Sequence, residues 1–356
     1  MKTFVVLNLL AVLIIFASCT KLSFEEAISP SFDFSTKGLI DFTRLGDSIG
    51  ETFAVNISDK YPSVKTRNNT MISLPINGFK NRKGEGINGI IQLTIRQCRR
   101  PSEMLLCDKP TQSFDSLSEG GILESFGEFF ISASQNGEPL QLQEGAVVTL
   151  TTGINNKSNP QKIPIWEADT SVTKTLKGLN HNAEHVTLER VVHLQKGAAW
   201  QLNGQKATIN KDHQMQLDIP KLDMWFNCDV LRPLETDNLT TVLVYFNQNY
   251  IPSVNTTQAS AVFFKPEGFN GLLKFYNPIL TDEVNKQGFY SYENSLPVGM
   301  RGKLLAFTYF EGHFFMDLKT IEITAPTLGR NFMPLTVNPV EVSKADFMAA
   351  VESLDN

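Results

Sequence analysis

Charge is scarce in this chain: Asp, Glu, Lys and Arg make up 19% of its 356 residues, below the roughly 25% usual in soluble domains. The 32 basic side chains are outnumbered by 37 acidic ones, so the positive footprint of a nucleic-acid partner is missing. Low-complexity tracts, collagen repeats and sustained heptads are absent too, which excludes disordered, fibrous and coiled-coil classes. Beyond the first two dozen residues no apolar run is long enough to span a bilayer as a helix. What is abundant is Phe (25), Gly (23) and Pro (17), the composition of turn-rich β structure with aromatic cores. The length suits two domains.

The front of the chain carries an address. Lys2 precedes an apolar run from Phe4 to Phe16, interrupted only by Asn8, and Phe16-Ala17-Ser18-Cys19 follows. The run is too short to span comfortably and has the layout of a signal peptide, residues 1–18. Its last four residues resemble the lipobox of bacterial lipoproteins, with Phe16 where Leu is usual. That resemblance implies that Cys19 is acylated and becomes the mature N-terminus; the alternative is an ordinary secretory leader with Cys19 incidental. Two or three acyl chains, at about 0.8 kcal/mol per buried CH₂, anchor stably where one does not. Thr20 in place of an inner-membrane-retaining Asp implies the outer membrane. Lys21 with Glu25-Glu26 is similar, loosely, to the surface-export signal of Bacteroidota lipoproteins, so both the periplasmic face and the cell surface stay open.

After a tether at 19–50, alternation of apolar and polar residues points to an all-β chain of two sandwich-like domains. A first β domain is expected at 51–157, with strands around Phe53 to Ile57, Ile87 to Ile95, Gly127 to Ala133 and Ala146 to Leu150, and a hairpin at Asn136-Gly137. Residues 158–214 read as a connector or an extension of that domain. A second sandwich is expected at 215–325, then a tail at 326–356 broken by Pro326, Pro334 and Pro339. Ser343-Lys344-Ala345-Asp346 there reads as the cap of a short helix reaching about Leu354, with Phe347, Val351 and Leu354 on one face.

Met71-Ile72-Ser73-Leu74-Pro75-Ile76-Asn77-Gly78-Phe79, Gly89-Ile90-Ile91, Gly127-Glu128-Phe129-Phe130-Ile131 and Trp225-Phe226-Asn227-Cys228-Asp229, in that order, resemble a family of uncharacterised Bacteroidota outer-membrane lipoproteins. The family carries a ZU5-like β domain and a C-terminal β-sandwich opened by a W-x-N-C-D element. Gly78 and Cys98 depart from its pattern. The resemblance implies a cell-envelope protein and brings no catalytic residues with it.

Chemistry is thin. Cys98 and Cys107 flank a short segment containing Pro101-Ser102, which suggests a local disulfide worth about 2 to 3 kcal/mol; two unlinked thiols in a β core are the alternative. Cys228 reads as a buried apolar thiol. His181, Glu184 and His185 lack the H-E-x-x-H order, and the Gly and Asn around them favour a loop over a helix, so no metal is assigned. No cofactor is expected either. Trp166, Trp200 and Trp225 lie in apolar stretches and read as core. Tyr290 and Tyr292 alternate near a turn and are the candidate ligand-facing residues. The functional expectation is a non-enzymatic, lipid-anchored binding or structural protein, touching the membrane through its acyl chains and an envelope protein or glycan through its surface. A glycan-binding accessory lipoprotein or a glycan-active hydrolase is the alternative.

Overall fold

The computed structural model describes residues 45–113, 121–154, 162–168, 173–181, 186–196, 200–234, 238–251, 259–280 and 286–356. The fold is all-β with a short C-terminal helix, as the alternation predicts. Residue 19 and the tether up to 44 lie outside the described residues.

The largest sheet is antiparallel. In spatial order its path is Glu51–Asn56, Ile90–Cys98, Leu123–Gln135, Trp225–Leu231, Lys162–Ala168, Gln201–Ile209, Gln214–Ile219, Val148–Gly153, Met71–Ser73 and Ser63–Lys65. This sheet coils around one core, because Val55, Leu93 and Ile131 near one end of the path pack in the same cluster as Ile72, Leu150 and Leu217 near the other. Thr70 ties the seam: its hydroxyl donates to Gln97 Oε1 at 2.6 Å and lies 2.9 Å from the Thr152 hydroxyl. The expected hairpin is present, with Asn136 and Gly137 at φ 53° and 83° and Gln135 facing Glu138. Paired left-handed residues are what a two-residue turn between twisted strands requires.

Two further sheets form the second sandwich. One holds Leu239–Phe246 between Gly288–Tyr290 and the parallel strand Phe332–Val337; the other is built on Ser260–Pro266, Arg301–Phe310 and His313–Glu322. Val242, Phe246 and Phe289 of the first interlock with Phe264, Leu304 and Ala306 of the second. The proline-broken tail therefore contains a sheet strand. Pro334 is tolerated because Phe332–Val337 is an edge, where a missing N–H disrupts no second ladder.

The segments on either side of residue 214 do not sort by position along the chain. Gln214–Ile219 and Trp225–Leu231, read from sequence as the opening of the second sandwich, pair with Val148–Gly153 and Leu123–Gln135 of the coiled sheet. The hairpin Thr173–His181 and Val186–Lys196, from the apparent connector, instead joins the second sandwich through Leu179 and Ile279.

A third core forms where the outer face of the coiled sheet meets the five-stranded sheet. Leu123, Trp166 and Trp225 pack there with Phe263, Leu305 and Phe307. This explains the unbroken apolar run at Trp225: Trp225 points into the third core while Phe226 and Cys228 point into the first. A strand covered on both faces shows no alternation.

The C-terminal helix, Lys344–Glu352, starts at Ser343, whose hydroxyl accepts from the Asp346 N–H at 3.1 Å. Phe347 stacks on Phe314 with centroids 4.7 Å apart and meets Phe307 edge-on at 5.2 Å. A second short helix, Pro101–Leu106, is tied to the C-terminus by Ser102, whose N–H and hydroxyl donate to the Asp355 carboxylate at 2.9 and 2.8 Å. Ser343→Ala should cost about 1 kcal/mol by removing the cap; a urea midpoint unchanged from wild type would contradict this reading of the terminus.

Candidate functional site

Two places concentrate chemistry: a buried polar row beneath the third core, and an open cleft at the edge of the second sandwich. The row follows from strand register. Cys98 faces Glu128, Glu128 faces Asn227, and Asn227 faces Trp166 across successive antiparallel strands, so these side chains share the outer face of the coiled sheet. That face is roofed by the five-stranded sheet and its helix, and Glu128, Asn227 and Asp229 are wholly inaccessible to solvent. Asn227 Nδ2 donates to Asp229 Oδ2 at 2.5 Å, and the Trp166 indole donates to the Asp229 carbonyl at 3.0 Å. Neither carboxyl oxygen of Glu128 has a hydrogen-bond partner among the described residues. Lys109 reaches over the Trp225 ring at 5.5 Å, and buried Lys274 pairs with Asp108 at 2.7 Å.

Burial sets the protonation of the acids. It pushes Glu128 well above the carboxylate range, and the neighbouring Asp229 charge adds to the effect. It raises Asp229 to about 7, against the hydrogen bond from Asn227 that favours the ionised form. Both folded values exceed the unfolded ones near 4. Between those limits the folded chain binds more protons than the unfolded chain, so stability is greatest below about pH 4 for these two groups and is lost as pH rises towards 7 and beyond. Asp229 alone accounts for a fall on the order of 4 kcal/mol. Urea unfolding at pH 5 and pH 8 should show the higher stability at pH 5, with a flatter profile for Asp229→Asn; equal stability at both pH values would refute the assignment.

The expected disulfide needs correction. Cys98, Cys107 and Cys228 are all free thiols. The segment after Cys98 is the helix Pro101–Leu106 rather than a hairpin return, and Cys107 caps its C-terminal end. Cys228 is buried in the first core, as expected. The ligand-facing role expected for Tyr290 is also corrected: Tyr290 is 1% exposed, between Leu243 and Asn277 in the middle of a sheet. Tyr292 is half-buried, its ring 6.4 Å from that of Tyr276. Trp166, Trp200 and Trp225 are core residues, and the Trp200 indole donates to the Pro110 carbonyl at 2.8 Å.

His181 lies at the end of a strand and His185 outside the described residues. Among the described residues no group of three His, Cys, Asp or Glu side chains is arranged to hold a metal. Two motif-like spacings escape the sequence reading. Gly46-Asp47-Ser48-Ile49-Gly50 has hydrolase-elbow spacing, yet Ser48 sits in a 3₁₀ turn and donates to the Leu45 carbonyl at 2.8 Å, not on a strand-to-helix elbow. Gly84, Gly86 and Gly89 have dinucleotide-loop spacing but lead into the strand Ile90–Cys98, where that loop requires a helix.

The open cleft has a volume of about 580 Å³ and is lined by Arg232, Leu234, Glu267, Phe269, Met300 and Arg301 among others. Arg232 lies 4.7 Å over the Phe269 ring and pairs with Glu124 at 3.0 Å. Neither Glu128 nor Asp229 lines it. Sequence reasoning misses both places, because the cleft assembles from loops distant along the chain. The buried row does leave a trace: Glu128 is a lone charge within Phe126 to Ile131.

Against known proteins, no family model, no curated protein and no solved structure matches the chain.

Proposed function

We propose that this is a lipid-anchored protein of the outer membrane with a non-catalytic binding role, whose folded body takes a small amphipathic ligand in the Arg232–Phe269 cleft. The cleft itself carries the reading. Its volume falls within the few-hundred-Å³ range of small-molecule sites, and its lining combines the apolar Leu234, Phe269 and Met300 with the charged Arg232, Glu267 and Arg301. The displaced acids that a hydrolase would need are sealed in the third core, away from this opening. A glycan platform would need exposed rings, and the Trp residues and Tyr290 are buried. The anchor rests on Phe16-Ala17-Ser18-Cys19.

The test uses 8-anilinonaphthalene-1-sulfonate, a probe with apolar rings and one anionic group. The native protein should bind it at one saturable site with a blue-shifted emission. Leu234 is 40% exposed, so Leu234→Asp should leave the fold intact while weakening binding roughly tenfold, the cost of setting a charge against an apolar ligand face. Absence of saturable binding, or equal binding by the variant, would overturn the cleft as the site.

A further inference from the structure

A second cavity, of about 300 Å³, opens where the turn Gly46–Ile49, the turn at Arg67 and Asn68, the helix Pro101–Leu106 and the C-terminal helix meet. It shares no residue with the Arg232–Phe269 cleft. Its lining includes Gln97, which follows Ile91, Leu93 and Ile95 on the inward face of the strand Ile90–Cys98 and is 3% exposed. A polar side chain thus takes a position that alternation reserves for the core. The Thr70 hydroxyl lies 2.6 Å from Gln97 Oε1, the length of an O–H···O bond and short for an N–H···O one, so the oxygen is the end turned to Thr70. The amide Nε2 has no hydrogen-bond partner among the described residues. A buried donor left unmet is costly, and a ligand acceptor would recover that cost.

The charged groups around Gln97 are unequally engaged. Glu51 accepts from the Arg67 N–H at 3.0 Å and faces its Nε at 3.4 Å. One oxygen of Glu103 accepts from the N–H groups of Arg99 and Arg100 at 2.8 and 3.2 Å, and the other accepts from Arg100 Nη2 at 2.8 Å. Both acids are therefore met by donors from their own surroundings. The guanidiniums are not, because each carries more donors than one carboxylate can take. Arg67 Nη1 has no partner among the described residues, and the Arg67 and Arg100 side chains are 65% and 60% exposed. Donors thus outnumber free acceptors, which suits a ligand whose oxygens accept. Glu352 is the exception, an exposed lining acid with no hydrogen bond among the described residues. Ile49, Leu106 and Met348 add an apolar part to the lining, which a bare inorganic ion would leave facing water.

We propose that this cavity binds a small organic carboxylate, whose oxygens accept from Gln97 Nε2 and the Arg67 and Arg100 guanidiniums while its apolar body rests on Leu106 and Met348. Arginine's planar fork meets a carboxylate through two parallel bonds, and the buried amide adds a donor that fixes where the oxygens sit. Selectivity comes from the combination. A neutral analogue leaves the guanidiniums and the amide without their charged acceptor, and a bare oxyanion leaves the apolar side chains uncovered. Glu352 opposes any anion seated there, so the affinity of the native protein lies below what the donors alone would give. This site is separate from the Arg232–Phe269 cleft and stands or falls independently of it.

The experiment titrates pentanoate into the full-length protein by isothermal calorimetry, with 1-pentanol and inorganic phosphate as comparisons. Pentanoate should bind at one saturable site, and each comparison roughly tenfold more weakly or worse. Gln97→Glu keeps an acceptor for Thr70 but sets a carboxylate where the amide donated, and it should weaken pentanoate by more than about tenfold. Arg67→Gln should weaken it about tenfold, the worth of one charge-assisted bond. Glu352→Gln should tighten it about threefold by removing a like charge, a gain that a damaged fold cannot produce. Leu234→Asp, in the cleft, should leave pentanoate binding unchanged. Equal binding of 1-pentanol or of phosphate would overturn the site. Loss of pentanoate binding in Leu234→Asp would overturn it too, by placing the probe in the cleft. Should Gln97→Glu fail to fold, Arg67→Gln and Glu352→Gln decide, and unchanged affinity in both refutes the proposal while leaving the cleft reading intact.

Discussion

Trp225→Ala should lower the unfolding free energy by about 3 to 5 kcal/mol and do so in a single transition that both sandwiches share. Trp225 is 5% exposed, its ring tilted against that of Phe130 with centroids 5.5 Å apart, and Lys109 lies over it. Its surroundings mix residues from the coiled sheet, the five-stranded sheet and the C-terminal helix. Truncation opens a void that a roof made of three separate elements cannot close without moving all of them. The loss therefore falls on the whole body and not on one sandwich. Denaturant unfolding monitored by tyrosine fluorescence and by circular dichroism should give coincident curves, with the midpoint displaced and the slope unchanged. Tyr61→Ala is the control, since Tyr61 is 78% exposed and its truncation should shift stability by less than about 0.5 kcal/mol. Two separated transitions, one of them untouched by Trp225→Ala, would show that the sandwiches melt independently.

Cys19→Ser should release the protein from the membrane altogether. Among the described residues no helix is long and apolar enough to cross a bilayer, and the apolar run before Cys19 is expected to be removed with the signal peptide. On the lipobox reading each acyl chain on Cys19 would contribute about 0.8 kcal/mol per buried CH₂, so two or three chains would move the partition by many orders of magnitude. The effect is accordingly all or none. Detergent-phase partitioning measures it directly: wild type should enter the detergent phase and Cys19→Ser the aqueous phase. A Ser variant that still follows the detergent would contradict the lipobox reading and leave the membrane assignment without support.

Local signals carried much of the secondary structure. The hairpin at Asn136-Gly137 is legible because two consecutive left-handed residues are inexpensive for Asn and Gly and costly for nearly anything else. The terminal helix is legible because a Ser cap and apolar residues three and four apart act within two turns, needing no distant partner. Strands such as Leu239–Phe246 and Arg301–Phe310 stand out because β-branched and aromatic runs favour extended backbone wherever they end up. The disulfide between Cys98 and Cys107 was expected on the same local footing, but the segment between them forms a helical turn capped by Cys107, and both thiols are free.

Composition and local pattern by themselves thus determined that the chain is all-β, that it closes with a docked helix and that its tryptophans are core. Tertiary structure alone decided which strands pair. The segment after residue 214 returned to the coiled sheet, and the apparent connector divided between two sheets. It also decided that Tyr290 is buried and that Glu128 stands beside Cys98. The reason is the period of two along a strand: it tells which residues share a face but not what covers that face or which strand lies next to it. Those outcomes depend on contacts between segments well separated along the chain, such as Cys98 with Glu128 and Trp225 with Phe130, and it is such contacts that assemble both the Arg232–Phe269 cleft and the buried row of Cys98, Glu128 and Asn227.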